Sequence, residues 1–157
     1  MATPPRPPSQ SAVGPGGGAA AAAGLGFQTQ IGAAFALAML NEQPVDHALG
    51  LGDARPTWIR FETEAPVDDL LVAMSAGGFI AVQAKTTVEL SARDGGPLAR
   101  TVQQFVRQWL ICRDGTGAQL WDPPLEPERD RLLLAVSFSS PASARGAPPA
   151  ALRLHRQ

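Results

Sequence analysis

The sequence predicts an α/β sandwich, a mixed central sheet flanked by helices. Three observations predict it. Apolar runs of strand length are interleaved with two longer stretches of helical periodicity. Two of the short runs are joined by Ser75-Ala76-Gly77-Gly78, a hairpin signal. A last run, Arg131 to Ser139, contains Leu-Leu-Leu-Ala-Val and follows the second helical stretch, as a strand buried in the middle of a sheet would.

Taken in order, Gly26 to Asn41 reads as the first helix. Phe27, Ile31, Phe35 and Ala38 make its apolar stripe, Gln28 and Gln30 lie off it, and Asn41 and Pro44 stop it. Thr57 to Glu62 reads as a strand with Ile59 and Phe61 on one face and Trp58, Arg60 and Glu62 on the other. Asp69 to Met74 and Phe79 to Lys85 are the hairpin strands. Pro97, after Gly95-Gly96, suits the first turn of a second helix. That helix is expected to bury Leu98, Val102, Phe105, Val106, Trp109 and Leu110, and to present Arg100, Gln103, Gln104, Arg107 and Gln108 to solvent. The element order is helix, strand, strand, strand, helix, strand.

One domain is expected from 157 residues, occupying about 25–140. Residues 1–24, rich in Pro, Gly and Ala, are expected to be a disordered tail, and 141–157 a flexible one. The net charge of −1 provides no global attraction for a polyanion. A local patch is available instead: between Lys85 and Arg113, five basic residues (Lys85, Arg93, Arg100, Arg107, Arg113) outweigh Glu89 and Asp94, leaving +3. A single cysteine, Cys112, excludes an internal disulfide, and with only His47 and His155 beside it no zinc site can be built. Cys112 reads as a small buried apolar residue. The best apolar run, Ile31 to Leu40, is shorter than the ~20 residues of a bilayer span. The Ala-rich stretch before it has only Arg6 ahead of it and is broken by Pro and Gly, unlike a secretory leader. These features point to a cytoplasmic protein with no membrane contact. Trp58, Trp109 and Trp121 read as packing residues. No phosphate-cradling G-x-x-x-x-G-K-S/T loop is present.

The chemistry concentrates on the hairpin. Gln83 and Lys85 share one face of their strand. A lysine there needs a partner, because an unpaired buried ammonium is costly. A four-residue loop would set Asp68 opposite Lys85, and a three-residue loop would set Asp69 opposite Gln83. Gly77 favours the three-residue loop, since its last position wants a left-handed residue. A one-residue slip would exchange the two aspartates. One carboxylate, one amide oxygen and one ammonium would then meet, a set suited to phosphodiester hydrolysis: hard oxygens for Mg²⁺, and a cation for the phosphoryl charge.

Trp58-Ile-Arg-Phe-Glu62, Val67-Asp-Asp-Leu-Leu-Val72 and Ala81-Val-Gln-Ala-Lys85 together resemble the Mrr-like branch of the PD-(D/E)XK nuclease superfamily. Within it they are similar to the N-terminal double-stranded-DNA endonuclease domain of CD-NTase-associated anti-phage effectors. Gly26-Phe27-Gln28 resembles the opening of those domains. The resemblance covers about residues 26–111, and more loosely Arg131 to Ser139. It implies a restriction-endonuclease-like sandwich and a Mg²⁺- (or Mn²⁺-) dependent endonuclease acting on double-stranded DNA in phage defence or restriction. Asp69, Gln83, Lys85 and Glu62 would be catalytic, with Glu64 as the fallback for Glu62. Asp69, Gln83 and the Ala84 carbonyl would hold the metal, and Arg100, Arg107 and Gln28 would contact DNA. The sequence departs from the superfamily's commonest pattern in carrying Gln83 where a second acid usually stands. Effectors of this kind also join the nuclease to a C-terminal sensor or oligomerisation domain, which implies a homo-oligomer, a separate sensor subunit or a fragment of a larger effector. The competing expectation is a catalytically inactive module of the same fold that binds DNA or protein.

Overall fold

A computed structural model describes residues 17–88 and 96–137. The first sixteen residues, the segment carrying Glu89, Arg93 and Asp94, and the expected tail from 141 lie outside the described residues. Two α-helices, α1 (Gly17–Leu40) and α2 (Pro97–Asp114), accompany four strands: β1 (Pro56–Phe61), β2 (Leu70–Met74), β3 (Phe79–Lys85) and β4 (Arg131–Val136). The sheet order is β1-β2-β3-β4. β1 and β3 each run antiparallel to β2, and β4 runs parallel to β3. The protein is thus mixed α/β, with the predicted element order.

The hairpin has the three-residue register. Met74 N–H donates to the Gly78 carbonyl at 3.1 Å, and Ala73 pairs with Phe79. Gly77 has φ +74°, the left-handed conformation the turn requires. β2 and β3 are central and buried on both faces, which explains their unbroken apolar runs. On one face, Leu70, Val72, Met74, Ile80 and Val82 pack under Phe35 of α1 and against Val45, Leu51 and Ala54. On the other, Val67, Leu71, Phe79 and Ala81 pack with Cys112 of α2, supported by Phe105, Trp121, Leu125 and Leu132.

Three expectations need correction. First, α1 begins at Gly17, inside the segment expected to be a disordered tail. Ala19 to Ala23 are the best helix formers available and extend the helix toward the N-terminus. The segment Ala21–Leu40 thereby reaches the length and mean hydropathy (1.3) of a bilayer span, although the uninterrupted apolar run from Ile31 alone does not. Here it lies on the sheet. Gly32 permits the close approach, because a Cβ there would collide with the Phe61 ring. Second, among the described residues β4 lies at an edge of the sheet rather than in its middle, and all its residues are half-buried. Asp130 and Arg131 fix its start. Asp130 accepts from Phe79 N–H at 2.8 Å and Glu126 N–H at 2.7 Å, while Arg131 donates to the Leu49 carbonyl at 2.5 Å and the Gly50 carbonyl at 2.8 Å.

Third, α2 is rotated from the orientation its apolar stripe implied. Its buried residues are Thr101, Gln108 and Cys112, whereas Val102 and Val106 are 52% and 49% exposed. The cause is backbone satisfaction. Gln108, wholly buried, accepts from Val67 N–H at 3.4 Å and donates to the Trp121 carbonyl at 2.6 Å, and Cys112 donates to the same carbonyl at 3.3 Å. Unpaired backbone groups in that position would cost more than exposing two valines. Cys112 is free and buried, as expected, and burial pushes its thiol above the usual range. Trp121 packs in the core, but Trp58 is 42% exposed on the edge strand β1.

Candidate active site

The site forms where β2 begins and β3 ends. The register that pairs Leu70 with Val82 sets Asp69 beside Gln83 one step further on. Their side chains meet: the Gln83 amide Nε2 donates to Asp69 Oδ2. The same oxygen accepts Ala84 N–H at 2.7 Å. A carboxylate only accepts, so the amide must present its nitrogen to Asp69. Its oxygen, Gln83 Oε1, is left buried with no hydrogen-bond partner among the described residues. An unsatisfied buried carbonyl oxygen costs about 1–3 kcal/mol and invites a water or cation.

Two further carboxylates border this pair. Glu62 follows β1 at φ +49°, a left-handed conformation that costs a non-glycine residue roughly 1–2 kcal/mol. Its N–H donates to the Asp69 carbonyl at 3.3 Å, and its Oε1 accepts from Gln28 Nε2 at 2.8 Å. Gln28 also donates to the Asp69 carbonyl. Asp68 accepts from Gln104 Nε2 at 3.4 Å. Burial raises the Asp68 carboxyl above 3.8, with the charges of Asp69 and Glu62 adding to the rise and its backbone N–H and Lys85 opposing it. Lys85 is thus within electrostatic reach of Asp68.

Lys85 also lines an open groove of about 590 Å³ with Pro97, Arg100, Thr101, Gln103, Gln104 and Arg107. Two arginines and a lysine on one groove give it the local positive character that the whole chain lacks.

The predicted residues therefore gather. Asp69, Gln83 and Ala84 lie together, Glu62 is adjacent, Lys85 follows two residues along β3 from Gln83, and it lines the groove along which Arg100 and Arg107 stand. Gln28 is the exception in kind. It is 6% exposed, held between Glu62 and the Asp69 carbonyl, and so is buried rather than offered to DNA. Glu64 is exposed. Asp68 and Gln104 border the site without having been assigned to it. The signal for Gln104 is its place between Arg100 and Arg107 on one helical face.

Comparison with protein-family models, with curated proteins and with solved structures returns no match.

The donor set can be tested on its chemistry. Asp69, the orphaned Gln83 Oε1 and the Ala84 carbonyl, which leaves β3 on the side of its own N–H, are all hard oxygens. Among the described residues no three carboxylate, histidine or cysteine side chains group closely enough to hold an ion. A cation here would therefore rely on the amide and backbone oxygens, as Mg²⁺ with retained waters can. On this test the residues fit a hard divalent ion.

Proposed function

We propose that the chain is a restriction-endonuclease-like, Mg²⁺-dependent endonuclease that hydrolyses phosphodiester bonds of double-stranded DNA, with phage defence or restriction as its setting. The observation that carries this reading is the juxtaposition of the Asp69–Gln83 pair and its orphaned oxygen with a groove, lined by Lys85 from the same strand, that bears Arg100 and Arg107. Asp69, Gln83 Oε1 and the Ala84 carbonyl would hold the ion. When bound, it would polarise the scissile phosphate and lower the pKa of a water. Lys85 would stabilise charge on the phosphoryl oxygens or orient the attacking water. Glu62, steered by Gln28, would be an outer carboxylate for an ion-bound water. Arg100 and Arg107 would contact the DNA backbone, which positions a duplex without reading its sequence.

The test is cleavage of supercoiled plasmid in Mg²⁺ or Mn²⁺. The wild type is expected to nick and linearise it, EDTA to stop the reaction and Lys85→Ala to abolish it. Equal cutting by wild type and Lys85→Ala would contradict the proposal.

One observation favours a second reading. Asp69 Oδ2 is already satisfied by two donors, so the pair stands without an ion. That suits a non-catalytic module using the groove to bind DNA or a partner protein. Calorimetric titration with Mn²⁺ separates the two, since only the nuclease gives binding heat that Asp69→Ala removes.

A further inference from the structure

Position 83 can be compared with what a carboxylate there would do. Asp69 and residue 83 face each other across the β2–β3 pair, with side chains in direct contact. Gln83 is 1% exposed and Asp69 is half-buried, so water screens only weakly what the two groups do to one another. A glutamate would set two anions together in that half-buried space. Such a pair either shares a proton or needs a cation between its members. The glutamine does neither. Its Nε2 donates to Asp69, Ala84 N–H completes the acceptor, and the charge of Asp69 is met by two fixed dipoles. What remains is Oε1, a buried acceptor without a partner among the described residues.

We infer that Gln83 is a neutral latch: it assembles the site with no cation bound, where an acid at the same position would make assembly depend on one. This goes beyond the nuclease reading and rests on it only for the identity of the cation. Gln83 acts as a positioning residue for Asp69 in the cation-free protein. Its unpartnered oxygen is the donor it offers to a hard ion. The trade is affinity, because one carboxylate and one amide hold a divalent ion less tightly than two carboxylates. The site therefore keeps its assembled geometry at low cation concentration.

The test is thermal unfolding of the full chain, wild type and Gln83→Glu, in EDTA and in Mn²⁺, at pH 8 and pH 5. In EDTA at pH 8 the variant is expected to melt lower by about 4 °C, the shift that roughly 1 kcal/mol gives a domain of this size. Mn²⁺ should restore the variant and move the wild type much less. At pH 5 the deficit in EDTA should shrink, because a protonated carboxyl in place of the amide can still donate to Asp69. A deficit indifferent to both Mn²⁺ and pH would mean only a packing defect and would overturn the latch, as would no deficit at all. If Gln83→Glu does not fold, the wild type still decides. The Gln83 side-chain NH₂ protons should be protected from exchange in EDTA, and rapid exchange would refute the hydrogen bond to Asp69. Plasmid cleavage is scored separately, so the latch and the nuclease reading can fail independently.

Discussion

The two faces of the central sheet are built from alternate residues of the same two strands, yet they are put to different uses. Toward α1 lie Leu70, Val72, Met74, Ile80 and Val82, an entirely apolar layer closed by Phe35. Toward α2 the apolar residues Leu71, Phe79 and Ala81 give way, at the end of the hairpin, to Asp69, Gln83 and Lys85. The α2 side also buries Gln108, Thr101 and Asp130. The α1 face secures the hairpin's position through this apolar layer, and its buried Gln28 reaches Glu62 and the Asp69 carbonyl at the border of the site. The other buried polar residues of the α2 side, Gln108, Thr101 and Asp130, each have hydrogen-bond partners, so Gln83 Oε1 stands out beside them as an acceptor without one among the described residues.

Substitutions on the two faces should therefore separate activity from stability. The largest effect is expected from Lys85→Ala, with a loss of cleavage of about 10²–10³-fold, as for removal of one charge-stabilising group. Its melting temperature should stay near that of the wild type, and a parallel loss of stability would blur the comparison. Ile80→Ala, on the opposite face of the same strand, should cost about 3 kcal/mol in urea unfolding through the cavity it leaves. Any surviving folded fraction should keep its groove.

Gln108→Ala probes the polar part of the α2 side that is not in the site. It strands Val67 N–H and leaves the Trp121 carbonyl to Cys112 alone, and is expected to cost about 2 kcal/mol in the same assay. Arg100→Ala and Arg107→Ala should leave unfolding unchanged. Each should weaken duplex binding and reduce the slope of log affinity against log salt by roughly 0.9. An unchanged slope would remove the groove from the DNA path.

The smallest effect concerns pH. The Asp68 carboxyl, raised above 3.8 chiefly by burial, holds its proton more tightly in the folded than in the unfolded chain. A raised carboxyl opposes folding when ionised, so its penalty grows as pH rises from 3.8 through the folded pKa and then stays constant. Asp68→Asn should therefore raise the melting temperature slightly at neutral pH and leave it unchanged at about pH 3. The opposite pH dependence would show Asp68 to be stabilised by Lys85 instead.

How much of this is legible in the sequence depends on what each residue's role requires. The hairpin register is legible because Gly77 has a conformational signature, and the register carries Asp69 to Gln83 with it. The face of α2 is not. Periodicity counts Gln108 as polar and Val106 as apolar, but the fold needs an amide to meet two backbone groups and leaves the valines outside. Gln28 escapes for the same reason, since its burial follows from Glu62 and the Asp69 carbonyl, which are distant in sequence. The edge position of β4 is hidden because an apolar run does not reveal whether both of its sides are paired. The start of α1 is obscured because its Ala-rich first turns adjoin a Pro- and Gly-rich segment of similar composition.

Asp69, Gln83 and the Ala84 carbonyl are proposed to form one cation site beside Lys85, and everything chemical in the nuclease reading depends on it. A crystal structure with Mn²⁺, read by anomalous scattering, tests this most directly. A single strong peak is expected at roughly 2.0–2.3 Å from the Asp69 carboxylate, Gln83 Oε1 and the Ala84 carbonyl oxygen. A peak elsewhere at saturating Mn²⁺, or none with Gln83 still bound to Asp69 and its oxygen facing a water, would contradict it.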